Sequence, residues 1–154
     1  MASSKIHKCV FKYCKYQSKD ILLDDFIKIN DRYFHKECAE IYNNIEEIKK
    51  IYYEKISNTV VMSLLVNVIN NIIFVKNIDS NYLLFAIKYA VNKNIKINYP
   101  QGLYYIIDNY KIKDAWKKKQ ISKIKNTKFE IKEVKQPKFK MKASHSKSIS
   151  NLFN

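Results

Sequence analysis

The sequence predicts a mainly α-helical protein, with a small β-hairpin module at its N-terminus and a basic, flexible tail at its C-terminus. Of its 154 residues, 47% are hydrophobic, which is enough to form a folded core. One glycine and two prolines leave few tight turns and argue against a many-stranded sandwich or barrel. From residue 38 onwards, apolar residues recur at steps of three and four. We therefore expect an N-terminal module over residues 1–38, a helical domain over residues 39–126 and a tail over residues 127–154.

The N-terminal module contains a metal-ligand pattern. The series C-x4-C-x20-H-x2-C includes all three cysteines of the chain and is formed by Cys9, Cys14, His35 and Cys38. Two close ligand pairs, separated by a connection long enough for a hairpin, let three thiolates and one imidazole converge on a tetrahedral Zn²⁺ ion. Because protein groups fill all four positions, we expect a structural zinc site and not a catalytic one. His7 could replace or accompany Cys9 among the ligands.

A β-hairpin is predicted between the two ligand pairs. Two β-prone runs over residues 26–35 flank the turn-forming pair Asn30-Asp31. The second run would present His35, and a helix beginning near it would present Cys38 from its first turn. The hairpin module would then be zinc-bound. The simpler alternative is a set of buried apolar cysteines beside an unrelated histidine, and the spacing disfavours it.

This N-terminal stretch resembles a known class of zinc module. In LIM-type and related treble-clef fingers, a cysteine pair is followed by a hairpin and then by H-x2-C at the start of a helix; the matching segment here is RYFHKEC at residues 32–38. The chain departs from that pattern in having four residues, not two, between Cys9 and Cys14, and in lacking a second finger. The resemblance covers about a fifth of the chain and implies a binding or scaffolding module.

Five helices are predicted after the hairpin. The first spans residues 38–56, where apolar residues face one side and charged residues face the other. Ser57 or Asn58 can cap the second helix. Its wide apolar face, between residues 60 and 73, should form the core.

The remaining three helices lie between residues 79 and 124. Asp79 or Ser80 can cap the third, which ends near residue 93. The fourth is short and spans residues 100–108, with a proline at its first position and an extended link before it. The last spans residues 112–124 and has apolar side chains near one side and lysines on the other.

The net charge of +15 is concentrated at the C-terminal end. Residues 111–154 contain 14 lysines and three acidic residues, whereas the first 110 residues are nearly balanced. A basic segment of this kind favours contact with a polyanion, because lysine neutralises phosphates and releases counterions. We expect nucleic acid, either DNA or RNA, as the leading partner, bound with low sequence specificity. The alternative is a solvated tail that keeps the protein soluble.

Lysines and aromatic residues alternate around the last predicted helix. A single strand would bind such a mixture, because cations contact phosphates and ring faces stack on bases. The alternative, which stays open, is that Trp116 is a packing residue and the lysines solvate the helix. Packing gives no reason for three consecutive lysines at residues 117–119, and this favours phosphate contact. The candidate nucleic-acid-binding residues are Lys111, Lys113, Trp116, Lys117, Lys118, Lys119, Lys123 and Lys125.

A second resemblance covers residues 79–119. The segments YLLFAIKYAV at residues 82–91 and YPQGLYYIID at residues 99–108, followed by Ala115-Trp116, are similar to the helical C-terminal module of DnaD-like replication proteins. Those proteins come from low-GC Gram-positive bacteria and their phages. The resemblance implies a helical module of a phage-related protein. The spacing between tyrosine and tryptophan is longer here, which puts the family's binding of single-stranded DNA in question.

Catalysis and membrane insertion have little support in the sequence. It contains no P-loop, dinucleotide fingerprint, G-x-S-x-G or H-E-x-x-H motif, and Asp24-Asp25 is better explained as a polar loop than as an acid–base pair. The most apolar stretch, residues 59–75, is interrupted by serine and asparagine and is too short and too polar for a membrane span. The first 16 residues lack the apolar region of a secretory signal. We therefore expect a cytoplasmic protein that is not an enzyme, located in the host cell if it is phage-encoded.

Two functions of different classes fit these features. The first is a phage-related, non-catalytic nucleic-acid-binding accessory protein, for replication or regulation, that contacts phosphates through its basic C-terminal part. The second is a phage inhibitor or adaptor, comparable to an anti-CRISPR protein, that docks on a host nucleic-acid enzyme such as a polymerase or a defence nuclease. Its partner would then be a host protein or a nucleoprotein complex.

Overall fold

A computed structural model of the chain describes residues 6–21 and 25–126. Within these residues, two short antiparallel β-hairpins lie N-terminal to five α-helices. The predicted mainly α fold, with a hairpin module ahead of a helical bundle, is therefore confirmed. The predicted tail, residues 127–154, lies outside the described residues.

The β-structure consists of two separate two-stranded sheets. Their strands are β1 (His7–Lys8), β2 (Asp20–Ile21), β3 (Phe26–Ile29) and β4 (Arg32–His35), paired as β1–β2 and β3–β4. Asn30 and Asp31 connect β3 to β4 with φ angles of 47° and 60°, as a type I′ turn requires. This confirms the predicted hairpin and its turn. The β1–β2 pair was not predicted, because strands of two residues leave no alternation to recognise.

The helical part consists of five α-helices in the described residues. They are α1 (Lys36–Ile51), α2 (Met62–Asn70), α3 (Ser80–Asn92), α4 (Gly102–Asp108) and α5 (Tyr110–Asn126). A π-helical turn extends each of the first two: Tyr52–Ile56 follows α1, and Asn71–Val75 follows α2. No helix in this part of the chain has both the length and the apolar character needed to cross a membrane.

A local hydrogen bond explains where α3 begins, whereas α2 begins without a side-chain cap. α3 begins after Asp79, whose carboxylate accepts a hydrogen bond from the backbone N–H of Asn81 at 2.9 Å, as predicted for an N-cap. Neither predicted cap of α2 is used. The Ser57 hydroxyl lies 3.3 Å from the Thr59 hydroxyl instead, and α2 begins only after Val61.

Two hydrophobic clusters meet where the hairpins contact the helices. The larger lies among the helices, and its fully buried side chains include Ile48, Leu65, Ile69, Leu83, Ile87, Leu103, Ile106 and Ile112. The smaller lies beneath the hairpins and contains Cys9, Phe11, Ile21, Phe34, Cys38 and Ala39. Ile41 and Phe74 pack against both clusters. The hairpin module and the helices therefore share a packed boundary.

Candidate metal centre and basic groove

The four predicted metal ligands lie together beside the hairpins, at the start of α1. Their three sulfur atoms and one imidazole nitrogen all lie within 4.8 Å of one another. Cys14 Sγ is 3.4 Å from His35 Nδ1, and Cys38 Sγ is 4.0 Å from the same nitrogen. Ligand atoms of this kind around one tetrahedral Zn²⁺ ion would be about 3.6–3.8 Å apart. The group formed by Cys9, Cys14, His35 and Cys38 is therefore close to the geometry of a metal site.

The backbone between β1 and β2 brings the first two cysteines into place. Cys9 follows β1, and its backbone N–H donates to the Lys19 carbonyl at 2.8 Å. A tight turn then presents Cys14, whose N–H donates to the Phe11 carbonyl at 3.2 Å. Lys19 has a φ of 52°, which turns the chain back into β2. We call residues 9–14 the cysteine loop.

The start of α1 positions the second ligand pair. His35 is the last residue of β4 and the N-cap of α1, and Cys38 lies in the first helical turn. The Nε2 atom of His35 lies 3.2 Å from the Asp20 carbonyl oxygen, and because a carbonyl only accepts, this nitrogen carries the proton. Nδ1 is then unprotonated and faces the thiols. A metal-bound histidine has the same arrangement, because one ring nitrogen binds the metal and the other donates its proton to a neighbouring group. The Tyr16 ring covers the imidazole, with ring centroids 4.1 Å apart.

Burial and neighbouring groups shift the pKa values of two thiols in opposite directions. Burial acts to raise the pKa of Cys9, but hydrogen bonds from the backbone of His35 and Phe11 outweigh it and leave the pKa lowered. Burial, followed by the nearby Cys9 and Cys14 thiols, raises the pKa of Cys38. Three thiolates in one cluster repel one another, so a cation held between them would favour the ionised form of all three.

His7, the alternative ligand, lies outside the metal group. Its ring stacks on Tyr33 with centroids 3.8 Å apart and an angle of 13° between the planes. The Phe26 ring packs edge-on against the His7 ring, with centroids 5.6 Å apart. In the described ranges, the group of side chains that could hold a metal includes Cys9 and does not include His7.

The predicted nucleic-acid-binding residues all lie on α5. All seven lysine side chains are exposed, and Trp116 is half-buried. Lys113 pairs with Asp108 at 3.3 Å, and Lys118 pairs with Asp114 at 3.0 Å. Successive residues of an α-helix are rotated by about 100°, so the seven lysines are distributed around the helix and do not form a single surface.

One face of α5 changes from apolar to basic along its length. Ile112 is fully buried. One turn later, Trp116 packs on Tyr82 and Phe85 of α3, with ring centroids 5.8 and 5.1 Å apart. The next two positions on this face, at helical steps of three and seven from Trp116, are Lys119 and Lys123. Lysine therefore occupies positions where apolar residues would continue the packing between α3 and α5.

A groove of about 620 Å³ lies along α3 where this packing ends. α1 borders it on one side and α5 on the other. Lys119 Nζ lies over the Phe85 ring, 5.1 Å from its centroid, and Lys88 pairs with Glu47 of α1 at 2.5 Å. We call this feature the basic groove and define it by Phe85, Lys88, Tyr89, Trp116, Lys119 and Lys123.

The end of the groove near the start of α3 is acidic. Asn81 donates through Nδ2 to Glu40 at 2.8 Å and through its backbone N–H to Asp79 at 2.9 Å. Protein donors therefore engage both carboxylates. Lys88 lies about two helical turns further along α3 than Asn81, so a bound anion is favoured near Lys88 and disfavoured beside Glu40 and Asp79.

The α3 side of the basic groove is missing from the sequence-based prediction. Phe85, Lys88 and Tyr89 are part of a helix that the periodicity identifies only as apolar. A signal was nonetheless present in α5. Lys119 and Lys123 are in helical register with the apolar Ile112 and Trp116, and lysine at core-facing positions indicates a surface that is not closed.

Comparison of the chain with protein-family models, with curated proteins and with solved structures gives no match. The resemblances to LIM-type fingers and to DnaD-like modules therefore remain predictions.

Proposed function

We propose that the protein is a phage-related, non-catalytic nucleic-acid-binding accessory protein that acts in replication or regulation. The basic groove is the observation that carries this proposal, because it brings three aromatic rings and three lysines into one cleft. Stacking surfaces combined with cations are the features that bind a single-stranded nucleic acid. The phage origin is supported by the DnaD-like resemblance alone.

Binding in the groove would be mainly electrostatic. Lys119 and Lys123 would contact phosphates, while one or more bases stack on Phe85, Tyr89 or Trp116. Neither contact identifies the base, so we expect low sequence specificity and binding of both DNA and RNA. The other lysines of α5 would attract the polyanion at longer range, and affinity should fall steeply with added salt.

For the metal centre, we propose a structural Zn²⁺ ion held by Cys9, Cys14, His35 and Cys38. Three thiolates and one imidazole are a donor set that Zn²⁺ prefers over harder divalent cations. The ion would fix the cysteine loop against the start of α1. Because the protein supplies all four ligands, the metal would stabilise structure and would not act on a substrate.

Metal analysis of the full chain, purified without chelator, tests the zinc assignment. We expect near one zinc per chain, lost in Cys38→Ser because a site with three ligands binds zinc weakly. His7→Ala is the matched control and should keep the metal, since His7 stacks on Tyr33 away from the cluster. A wild-type protein without metal, or loss of zinc from His7→Ala alone, would contradict the assignment.

Titration of a fluorescein-labelled oligonucleotide tests the binding proposal. Wild-type protein should bind at low salt, and Lys119→Ala/Lys123→Ala should bind about tenfold more weakly, with a salt slope smaller by about two. Lys55→Ala/Lys96→Ala removes the same charge from exposed positions outside the groove and should bind like the wild type. No binding at low salt would exclude the proposal, and equal weakening in both double variants would exclude the groove as its site.

One observation favours a second candidate, the inhibitor or adaptor that docks on a host nucleic-acid enzyme. Val61, Met62 and Leu64 at the start of α2 are 63%, 39% and 40% exposed. Neighbouring exposed apolar side chains of this kind are typical of protein contact sites.

Pull-down from nuclease-treated host lysate tests the second candidate. A stoichiometric protein partner that survives moderate salt, is lost with Leu64→Glu and is kept with Ser63→Glu would favour docking through α2. The two substitutions add the same charge at adjacent exposed positions. Capture that stops after nuclease treatment would favour the nucleic-acid-binding function instead.

A further inference from the structure

Both ligand pairs of the metal centre connect to the first turn of α3. The second pair does so through α1, which begins at the metal site. Glu40 accepts a hydrogen bond from Asn81 Nδ2 at 2.8 Å. One turn later, the buried Asn44 donates through Nδ2 to Ser80 Oγ and to Asn81 Oδ1, both at 3.0 Å. Buried polar contacts that are satisfied on both sides hold two elements in one relative position.

Aromatic side chains connect the first ligand pair to the chain segment just before α3. Tyr13, which precedes Cys14 in the cysteine loop, stacks on Phe74 with centroids 4.0 Å apart and 13° between the planes. Phe11 of the same loop lies 5.9 Å from the Phe74 ring. Phe74 belongs to the π-helical turn Asn71–Val75, the last element before α3. The cysteine loop therefore supports the chain that leads into α3.

The first turns of α3 in turn shape the basic groove. Asp79 and Asn81 form its acidic end. Tyr82 and Phe85, in the first two turns, make the ring contacts to Trp116. A shift of the start of α3 would therefore change both the packing of Trp116 and the width of the groove.

We infer that metal occupancy controls the shape of the basic groove, through the Tyr13–Phe74 stack on one side and the Asn44–Ser80 contact on the other. With metal bound, the cysteine loop and the start of α1 have one arrangement, and α3 is held from both. Without metal, both supports loosen together. The expected consequence, a loss of nucleic-acid affinity of about fivefold or more, rests on the proposed function, whereas the coupling itself rests on these contacts.

Trp116 is the only tryptophan of the chain, so its fluorescence reports on the groove directly. Chelation of the metal-loaded full chain with EDTA should shift Trp116 emission to longer wavelength, because its packing on Tyr82 and Phe85 loosens. Far-ultraviolet circular dichroism should keep most of its helical signal. If metal analysis shows that the zinc has left and the emission is still unchanged, the inference is overturned. Loss of most of the helical signal would overturn it as well, because the metal would then support the whole helical core.

Phe74→Leu removes the ring stack and keeps an apolar side chain. We expect it to retain zinc, to show before any chelation an emission shifted part of the way towards that of the metal-free wild type, and to change less with EDTA than the wild type does. Phe26→Leu is the matched control, because the ring of Phe26 contacts His7 and Tyr33 within the hairpin module. It should respond like the wild type, and equal responses of the two variants would contradict the inference. If Phe74→Leu does not fold, Asn44→Ala tests the same coupling from the α1 side.

Oligonucleotide titration of the same samples separates this inference from the proposed function. Metal-loaded protein that binds, and loses affinity on chelation, supports both. Metal-loaded protein that does not bind, but whose Trp116 emission depends on metal, contradicts the proposed function and supports the coupling. Protein that binds equally well with and without metal, and whose Trp116 emission also does not depend on metal, overturns the coupling alone.

Discussion

Tyr52 and Tyr82 are both buried, but their hydroxyl groups differ in pairing. Tyr82 donates to the Ile107 carbonyl at 2.8 Å, whereas the Tyr52 hydroxyl has no hydrogen-bond partner among the residues that the structure describes. A buried polar group without a partner is destabilising. We expect Tyr52→Phe to raise the free energy of unfolding by about 1 kcal/mol and Tyr82→Phe to lower it by about 1 kcal/mol. Urea unfolding measures both, and effects of the same sign would contradict the assignment of the two hydroxyls.

The same two phenols predict a loss of stability at alkaline pH. Burial raises the pKa of both, and Asp108 raises that of Tyr82 further. A raised pKa in the folded state favours the neutral phenol, so its contribution is complete below the ordinary tyrosine pKa of about 10 and is lost as the pH rises beyond that value. The melting temperature should therefore fall less steeply above pH 10 in either phenylalanine variant. Tyr105→Phe, at a position that is 66% exposed, should follow the wild type.

The only glycine of the chain, Gly102, lies at the start of α4, where a neighbouring side chain leaves no space for a Cβ atom. A Cβ atom at Gly102 would lie 2.8 Å from Ile97 Cγ2, and Ile97 is buried. Alanine is favoured over glycine in an open helix by about 1 kcal/mol, but overpacking a core costs about 1–3 kcal/mol. We expect Gly102→Ala to lower the free energy of unfolding by about 1 kcal/mol in the wild type. In the Ile97→Ala background, where the obstructing methyl group is absent, the same change should be stabilising; destabilisation in both backgrounds would contradict this explanation.

The sequence was sufficient to predict the elements whose conformation depends on residues close to one another in the chain. The hairpin was predictable because Asn30 and Asp31 tolerate the positive φ angles that its turn needs, and α1 because its apolar steps continue over several turns. The end of α2 was not predictable. Its π-helical turn packs Phe74 against Tyr13 of the cysteine loop, a contact between residues 61 positions apart in the sequence. Tertiary contact, which no local pattern encodes, determines that turn.

At the scale of the whole molecule, the two candidate sites differ in how far the sequence alone predicts them. Cys9, Cys14, His35 and Cys38 were predictable because ligand type and spacing carry the chemistry of a metal site. The basic groove was predictable only on its α5 side. Its α3 side depends on which face of α3 remains uncovered once α1 and α5 have packed against it, and periodicity alone does not determine that face.

Coupling between the metal centre and the groove must act in both directions. If zinc tightens oligonucleotide binding by a given factor, the oligonucleotide tightens zinc binding by the same factor. We expect a saturating oligonucleotide to lower the zinc dissociation constant about fivefold, measured by competition with a chromophoric chelator. The zinc dissociation constant of Lys119→Ala/Lys123→Ala should change little at an oligonucleotide concentration that does not saturate this variant. Zinc affinity that is independent of the oligonucleotide would contradict the linkage.

The change from apolar to basic along α5 makes the fold locally frustrated. Lys119 stands over the Phe85 ring at a position in register with Ile112, where an apolar side chain would extend the core. Lys119→Leu should raise the free energy of unfolding by about 1 kcal/mol and weaken oligonucleotide binding, whereas Lys118→Leu, at an exposed position in an ion pair with Asp114, should not stabilise the protein. Functional sites commonly keep residues that the fold alone would not favour. If Lys119→Leu is more stable than the wild type and binds the oligonucleotide more weakly, Lys119 is a residue that serves binding at a cost in stability.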